Sequence, residues 1–264
     1  MLIYLPAGYE QPDTPNPLTP DPHGVPASNA QWGDLTRYPV LYLLHGINGS
    51  ETSWQDMGGA IDTLESMIAA GRCRPVILVM PDCFKWDYAE RTMHHNRRWK
   101  SIIHYPSLSR EHLTEHALSD LIDMIDSTYC VHPAFAVAGL SDGARLAANI
   151  ANLRPDRLSH VGLFSPVLHR DQLPVATADS TLSTFDCTGS PQACAVGCIR
   201  PSTIYHIYVG KQDFFYSSGK RFHRRLNRIR YPHTFVTWRG GHDWPLWRAC
   251  LADFLSTAFP PQSQ

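Results

Sequence analysis

The sequence predicts an α/β fold, with one domain built on a mostly parallel central sheet and helices on both faces. Three observations carry this. Short apolar runs alternate with helix-period segments from residue 40 to residue 257. The runs are apolar at consecutive positions rather than at every second one, as strands buried on both faces are. A chain of 264 residues with 43% apolar composition suffices for one substantial core. The elements follow in order. Val40-Leu41-Tyr42-Leu43-Leu44, ended by His45-Gly46, is the first buried strand. Met57, Ile61, Leu64 and Ile68 recur at helical spacing, with Gly71 as the stop. Val76 to Met80, closed by Pro81-Asp82, is the next strand. Leu113, Ala117, Leu121 and Ile125 mark a helix, Phe135 to Ala138 a short strand, and Ala144 to Leu153 a helix closed by Arg154-Pro155. Val161 to Phe164, Thr203 to Val209 and His233 to Trp238 complete the strands, with helices near 218–229 and 245–257.

Two segments stand outside this alternation. Residues 6–39 hold eight of the 21 prolines, which excludes regular helix or central strand, so the stretch near 10–37 reads as a surface insertion that decorates the domain. The second is a Ser/Thr/Gly/Pro-rich loop near 169–202 carrying Cys187, Cys194 and Cys198. It admits a disulfide in an oxidising setting, whereas the lack of a CxxC pair argues against zinc. Cys73, Cys130 and Cys250 sit in or near apolar stretches and read as free thiols behaving as small hydrophobes.

Charge narrows the partners. With 23 Lys plus Arg against 24 Asp plus Glu, the net balance offers no electrostatic argument for nucleic acid or an anionic membrane, and a small-molecule or neutral polymeric substrate is the default. No apolar run reaches the length of a membrane span. Met1-Leu2-Ile3-Tyr4-Leu5-Pro6 lacks both the basic and the apolar region of a signal peptide, so the chain reads as cytoplasmic. A homo-oligomer is compatible with the sequence.

In a sheet of this kind the ligand site gathers at the carboxyl ends of the strands, so the residues just after each strand matter most. Gly139-Leu140-Ser141-Asp142-Gly143 lies between a strand and a helix. That is the setting in which a serine on a sharp, strained turn presents its Oγ, with small residues two positions away letting strand and helix approach. Two later strand ends supply the partners a serine nucleophile needs. Asp213 follows Tyr205 to Gly210, and His242 sits in a glycine-flanked loop after Phe235 to Trp238. Ser141 is thus the candidate nucleophile, His242 the base and Asp213 the acid that orients it, with Asp243 and Asp186 as competing carboxylates. An oxyanion hole needs two backbone donors. Asp142 supplies one, and Ile47, in the turn His45-Gly46-Ile47-Asn48-Gly49, is the choice for the other. His45 reads as a brace for that turn. Trp54 and Trp244 are candidates for an aromatic wall contacting substrate, whereas Trp86 and Trp99 read as core residues. Residues 84–105 and 169–202 are candidate pocket rims, and the cluster from His94 to Arg98 reads as a solvated basic turn.

Tyr4-Leu5-Pro6-Ala7-Gly8-Tyr9, Tyr38-Pro39-Val40-Leu41-Tyr42-Leu43-Leu44-His45-Gly46, Gly139-Leu140-Ser141-Asp142-Gly143, Gly210-Lys211-Gln212-Asp213 and Gly240-Gly241-His242-Asp243-Trp244 together resemble the esterase D and feruloyl-esterase-like family of the α/β-hydrolase superfamily. That family is itself similar to enterochelin esterases and mycolyltransferases. The resemblance runs from the N-terminus to about Phe254 and implies the α/β-hydrolase fold. It also implies a triad of Ser141, Asp213 and His242, oxyanion donors at Ile47 and Asp142, and no metal or organic cofactor. The implied activity is hydrolysis of carboxylic esters of small acyl, phenolic or sugar-linked substrates. Acyl transfer by the same triad is the alternative. A non-catalytic binding module is disfavoured by the presence of all three chemical residues and both glycine-rich turns. Members usually carry strands before the YLPAGY-like segment and a shorter loop in place of the proline-rich insertion. A start further upstream, with a secreted precursor, is therefore the alternative to the cytoplasmic reading.

Overall fold

The computed structural model describes residues 1–9, 37–83, 108–155, 157–168, 172–174 and 203–261, with the side chains of the helix that begins at Leu108 described from His116 onward. Most of the insertion near 10–37, the rim segments, Trp86, Trp99, His94 to Arg98, Asp186 and the cysteines Cys187, Cys194 and Cys198 lie outside the described residues.

The described residues form one seven-stranded sheet. Its strands are β1 (Leu2–Tyr4), β2 (Tyr38–Leu44), β3 (Ile77–Met80), β4 (Val131–Leu140), β5 (Leu158–Phe164), β6 (Ile204–Gly210) and β7 (His233–Trp238), in the spatial order β1-β3-β2-β4-β5-β6-β7. All neighbours are parallel except β1, which runs antiparallel on the edge beside β3. The helices are α1 (Ser53–Asp56), α2 (Ala60–Ala69), α3 (Leu108–Thr128), α4 (Asp142–Leu153), α5 (Tyr216–Arg228) and α6 (Trp244–Ala258). The neighbour relations explain the near-continuous apolar strands. Val40, Tyr42 and Leu44 of β2 pack into a cluster with Ile122 and Ile125 of α3, Leu146 and Ile150 of α4, and Phe222 and Leu226 of α5. Leu41 and Leu43 point the other way, into a cluster with Leu64 of α2 and Leu251, Phe254 and Leu255 of α6.

The differences from the sequence reading have local causes. β4 extends to Val131 although His132 and Pro133 break its apolar run; Pro133 is exposed at the strand's start, where a missing N–H costs little. β2 begins at Tyr38, and the register with β4 shifts at Pro39 for the same reason. β1 is three half-buried residues, too short for a periodicity to show.

A polar chain crosses three neighbouring strands, from half-buried His160 through buried His206 to exposed Thr234. His160 on β5 and His206 on β6 meet at 2.9 Å through Nδ1 and Nε2, and His206 Nδ1 lies 3.2 Å from Thr234 Oγ1 on β7. Burial pushes His160 down to about 4, and burial with the neighbouring imidazole pushes His206 down to about 3. Both rings stay neutral in the fold, while in the unfolded chain they gain protons below their ordinary value of 6.5. Their stabilising contribution is therefore complete above about pH 6.5 and lost as pH falls toward 4, by up to about 1.4 kcal/mol per pH unit for each ring. Urea unfolding from pH 7 to pH 4 should show a shallower loss of stability in His160→Asn than in the parent. Equal slopes would refute this.

Candidate active site

The strand order makes the carboxyl ends of β4, β5, β6 and β7 consecutive neighbours, and Ser141, Ser165, Asp213 and His242 follow those four ends in turn.

Ser141 joins β4 to α4 with φ 54° and ψ −117°, a conformation that costs a non-glycine residue about 1 to 3 kcal/mol and recurs at functional turns. The surroundings hold it there. Its N–H donates to Phe164 O at 2.9 Å, tying it to β5. Strand and helix close so tightly that a Cβ on Gly139 would sit 2.4 Å from the Gly143 carbonyl, and one on Gly143 would sit 2.3 Å from His45 O. Neither position admits a side chain, which is the steric need behind the GxSxG spacing.

The turn after β2 lies directly over this elbow. A Cβ on Gly46 would stand 3.3 Å from Ser141 Cβ. Gly49 N–H bonds Gly46 O, and Asn48 takes φ 61°, so Ile47 is the first central residue of the turn, whose own amide the turn does not use. Asp142 is the first residue of α4, where the N–H has no partner within the helix. His45 braces the turn, as its sequence position suggested. It is buried, its Nε2 accepts from Cys83 N–H at 2.9 Å, and its Nδ1–H therefore donates to Gly46 O at 2.7 Å.

Asp213 and His242 meet from separate loops, with Nδ1 of the imidazole 3.1 Å from Oδ2 and 3.3 Å from Oδ1. The loop ahead of His242 is pinned to the Asp213 turn by Gly240 N–H to Gln212 Oε1 (2.7 Å) and Gln212 N–H to Gly240 O (3.0 Å). The Asp213 residue is only 4% exposed. Burial alone would raise its pKa, but hydrogen bonds from His242, Ser165 and the Phe215 N–H outweigh that and hold the carboxyl below the usual range. The competing Asp243 is otherwise engaged. It caps α6, Oδ1 accepting from Leu246 N–H at 3.1 Å and Oδ2 from Gly241 N–H at 3.2 Å.

Three residues of the site escaped the sequence reading. Ser165, the residue after β5, is fully buried with φ 50°; its Oγ accepts from Trp247 Nε1–H at 2.9 Å and its hydroxyl bonds Asp213. Because the indole N–H occupies an Oγ lone pair, the serine proton is left to point at the carboxylate. Trp247 stands edge-on to the His242 ring at 4.9 Å, so the bridge draws the loop after β7 back to the end of β5, one strand from Ser141. Phe214 is 72% exposed, with its ring 4.5 Å from that of His242. Position just after a strand would have flagged Ser165; nothing local flags Trp247 or Phe214. The Ser141 hydroxyl makes no direct hydrogen bond to His242 in this structure. Such bonds commonly tighten only with substrate in place.

Of the two tryptophans expected to touch substrate, Trp54 does not. It is 1% exposed, its Nε1–H donates to Leu44 O at 3.0 Å, and it packs edge-on against Phe164 and Trp244. A large ring beside a free carbonyl at the strand end is drawn into the core. Trp244 is half-buried above it, against Trp247. Among the described residues no group of three or more His, Cys, Asp or Glu side chains could hold a metal ion, and no helix is long and apolar enough to cross a membrane.

Removing the Ser165 hydroxyl takes one donor from the carboxylate and leaves a buried indole N–H unpaired, at a cost of about 1 to 3 kcal/mol. Ser165→Ala is expected to lower kcat on p-nitrophenyl acetate three- to tenfold with little change in KM. It should also make the loss of stability between about pH 5 and pH 3 shallower, since the Asp213 carboxyl loses a bond that holds it below the usual range. A reduced kcat with an unchanged slope of stability against pH would leave Ser165 a packing role only.

Known proteins resemble this chain in family and in fold. The family model described as "Putative esterase" matches residues 28–257. An endo-1,4-β-xylanase/feruloyl esterase of Xylanibacter ruminicola is 32% identical over 136 residues, half of this chain and 17% of that much longer protein. A CE1 ferulic acid esterase from Anaeromyces mucronatus, solved with ferulic acid, superposes with TM-score 0.63 at 19% identity over 97% of this chain and 84% of that one. The feruloyl esterase module from Clostridium thermocellum, complexed with sinapinate, superposes with TM-score 0.63 at 14% identity over 99% and 83%. At these identities the superpositions speak for the shared α/β-hydrolase fold.

Proposed function

Because the chain belongs to the "Putative esterase" family, and with it to the carboxylic ester hydrolases, we propose that it cleaves esters through an acyl-enzyme on Ser141. The observation that carries this reading is the pairing of buried Asp213 with half-buried His242 on the same sheet rim as a serine held in a strained turn. Asp213 keeps Nδ1 of His242 protonated, which leaves Nε2 free to accept the Ser141 proton as Oγ attacks the ester carbonyl. The oxyanion forms beneath the turn that overlies Ser141 Cβ, within reach of the Ile47 and Asp142 N–H groups. The imidazolium then hands its proton to the leaving alcohol. Water, deprotonated by the same imidazole, releases the acid and restores Ser141.

For substrate, we favour esters with a phenolic acyl group or a sugar-linked alcohol. The exposed Phe214 ring and the half-buried Trp244 offer apolar faces beside the reacting centre, and feruloyl esterases are among the similar proteins. The test is a panel of p-nitrophenyl acetate, p-nitrophenyl butyrate, methyl ferulate and acetylated sugars, run alongside labelling by a fluorophosphonate probe. Covalent labelling at Ser141 with turnover of at least one ester is expected. A protein that is neither labelled nor active would be a binding module, and an added alcohol acceptor that captured most of the acyl group would make it a transferase.

A further inference from the structure

The near-zero net charge conceals a strongly basic face on α5. Between residues 220 and 230 stand Lys220, Arg221, Arg224, Arg225, Arg228 and Arg230, six of the chain's 23 cationic side chains, and no acidic residue lies between Tyr216 and Tyr231. The helix is sided. Gly219, Phe222 and Leu226 are buried against the sheet, while Arg221, Arg224, Arg228 and Arg230 are exposed. Among the described residues none of these four arginines is in an ion pair, although Arg154 and Arg157 elsewhere find Asp123 and Asp126. Like charges three and four positions apart disfavour a helix by a few tenths of a kcal/mol per pair. The helix dipole repays that only in the last turn, so stability alone does not account for the row.

The helix that carries the row starts beside the site. Because α5 leaves the end of β6 and returns to the start of the parallel β7, it runs from the active-site rim down the side of the sheet. Its first residue follows Asp213 by three positions. Arg221, Arg224 and Arg228 succeed one another about 4.5 and 6 Å apart along the axis. Five of the six cations are arginines, whose planar fork suits carboxylates. A single-stranded nucleic acid would also want rings to stack on. The exposed side of this helix carries none between Arg221 and Arg230 except the half-buried His223, itself stacked on Phe235.

We infer that this face binds a carboxylate-bearing polysaccharide, the polymeric part of an ester substrate whose scissile bond sits at Ser141. The inference rests on the esterase reading above, and its test separates the two. Binding of the whole chain is measured at low salt to polygalacturonate and to the same polymer with its carboxyls reduced to alcohols. Retention by the acidic polymer alone, weakening as salt rises, is expected. Arg221→Gln/Arg224→Gln/Arg228→Gln should lose at least tenfold in affinity, and the Glu counterpart more, with hydrolysis of p-nitrophenyl acetate within twofold of the parent. Equal binding of the reduced polymer, or unchanged affinity in a folded triple variant, would overturn the inference. So would tighter binding of single-stranded RNA or of vesicles containing phosphatidylglycerol that the same variants abolish. A parent protein inert toward p-nitrophenyl acetate would instead remove the esterase reading and leave the binding result standing.

Discussion

Ser141→Ala is expected to lower turnover of p-nitrophenyl acetate by about a millionfold, because nucleophile and base act as one unit and the loss of either removes the covalent route. The residual rate should exceed that in water by roughly a thousandfold or more, since the donors over the elbow remain. The fold should survive. Alanine fits a site whose strain is in the backbone, and the tie from residue 141 N–H to Phe164 O does not involve the hydroxyl. Steady-state rates, with thermal unfolding as the control, decide the matter. A folded alanine variant within a hundredfold of the parent would transfer the chemistry to another group.

The second large effect is at Asp213, where asparagine should lower kcat by about ten-thousandfold. The geometry gives the reason. Phe215 N–H holds Oδ1 at 2.7 Å, so the amide oxygen of asparagine would take that position and its NH2 would fall where Oδ2 now faces Nδ1 of His242 at 3.1 Å. The ring then turns its lone pair to the amide and keeps its proton on Nε2, the tautomer that cannot accept from Ser141. Asp243→Asn is the matched control. It alters a helix cap, worth about 1 kcal/mol at most when asparagine replaces aspartate, and an exposed bond from Gly241 N–H, and should leave activity nearly whole. The reverse pattern would make Asp243 the acid. The pH sign follows from the same contacts. A carboxyl held below its usual range contributes stability that is complete above the ordinary carboxylate pKa and lost as pH falls through the depressed one.

How much of this was legible in the residues varies with range. The elbow was readable because strand, turn and helix are local, and glycine spacing around Ser141 reports a close approach within five residues. The turn after β2 was readable for the same reason, through Gly46 and Gly49. Trp54 misled because a ring after a strand end can turn to substrate or to the core, and the choice was made by a carbonyl at Leu44 and rings at Phe164 and Trp244. Ser165 is marked in the sequence only by its place after a strand, and its role depends on Trp247 and Asp213 standing beside it.

The residues alone determined the fold class, the order of Ser141, Asp213 and His242 along the chain, and the strained turn, since periodicity and turn sterics act between near neighbours. Tertiary structure alone decided which carboxylate holds His242, which tryptophan is core, and that a serine and an indole tie the last loop back toward Ser141. Those choices depend on hydrogen bonds spanning 29 residues from Asp213 to His242 and 82 from Ser165 to Trp247. No local pattern encodes such distances, because only the packed sheet brings the strand ends together.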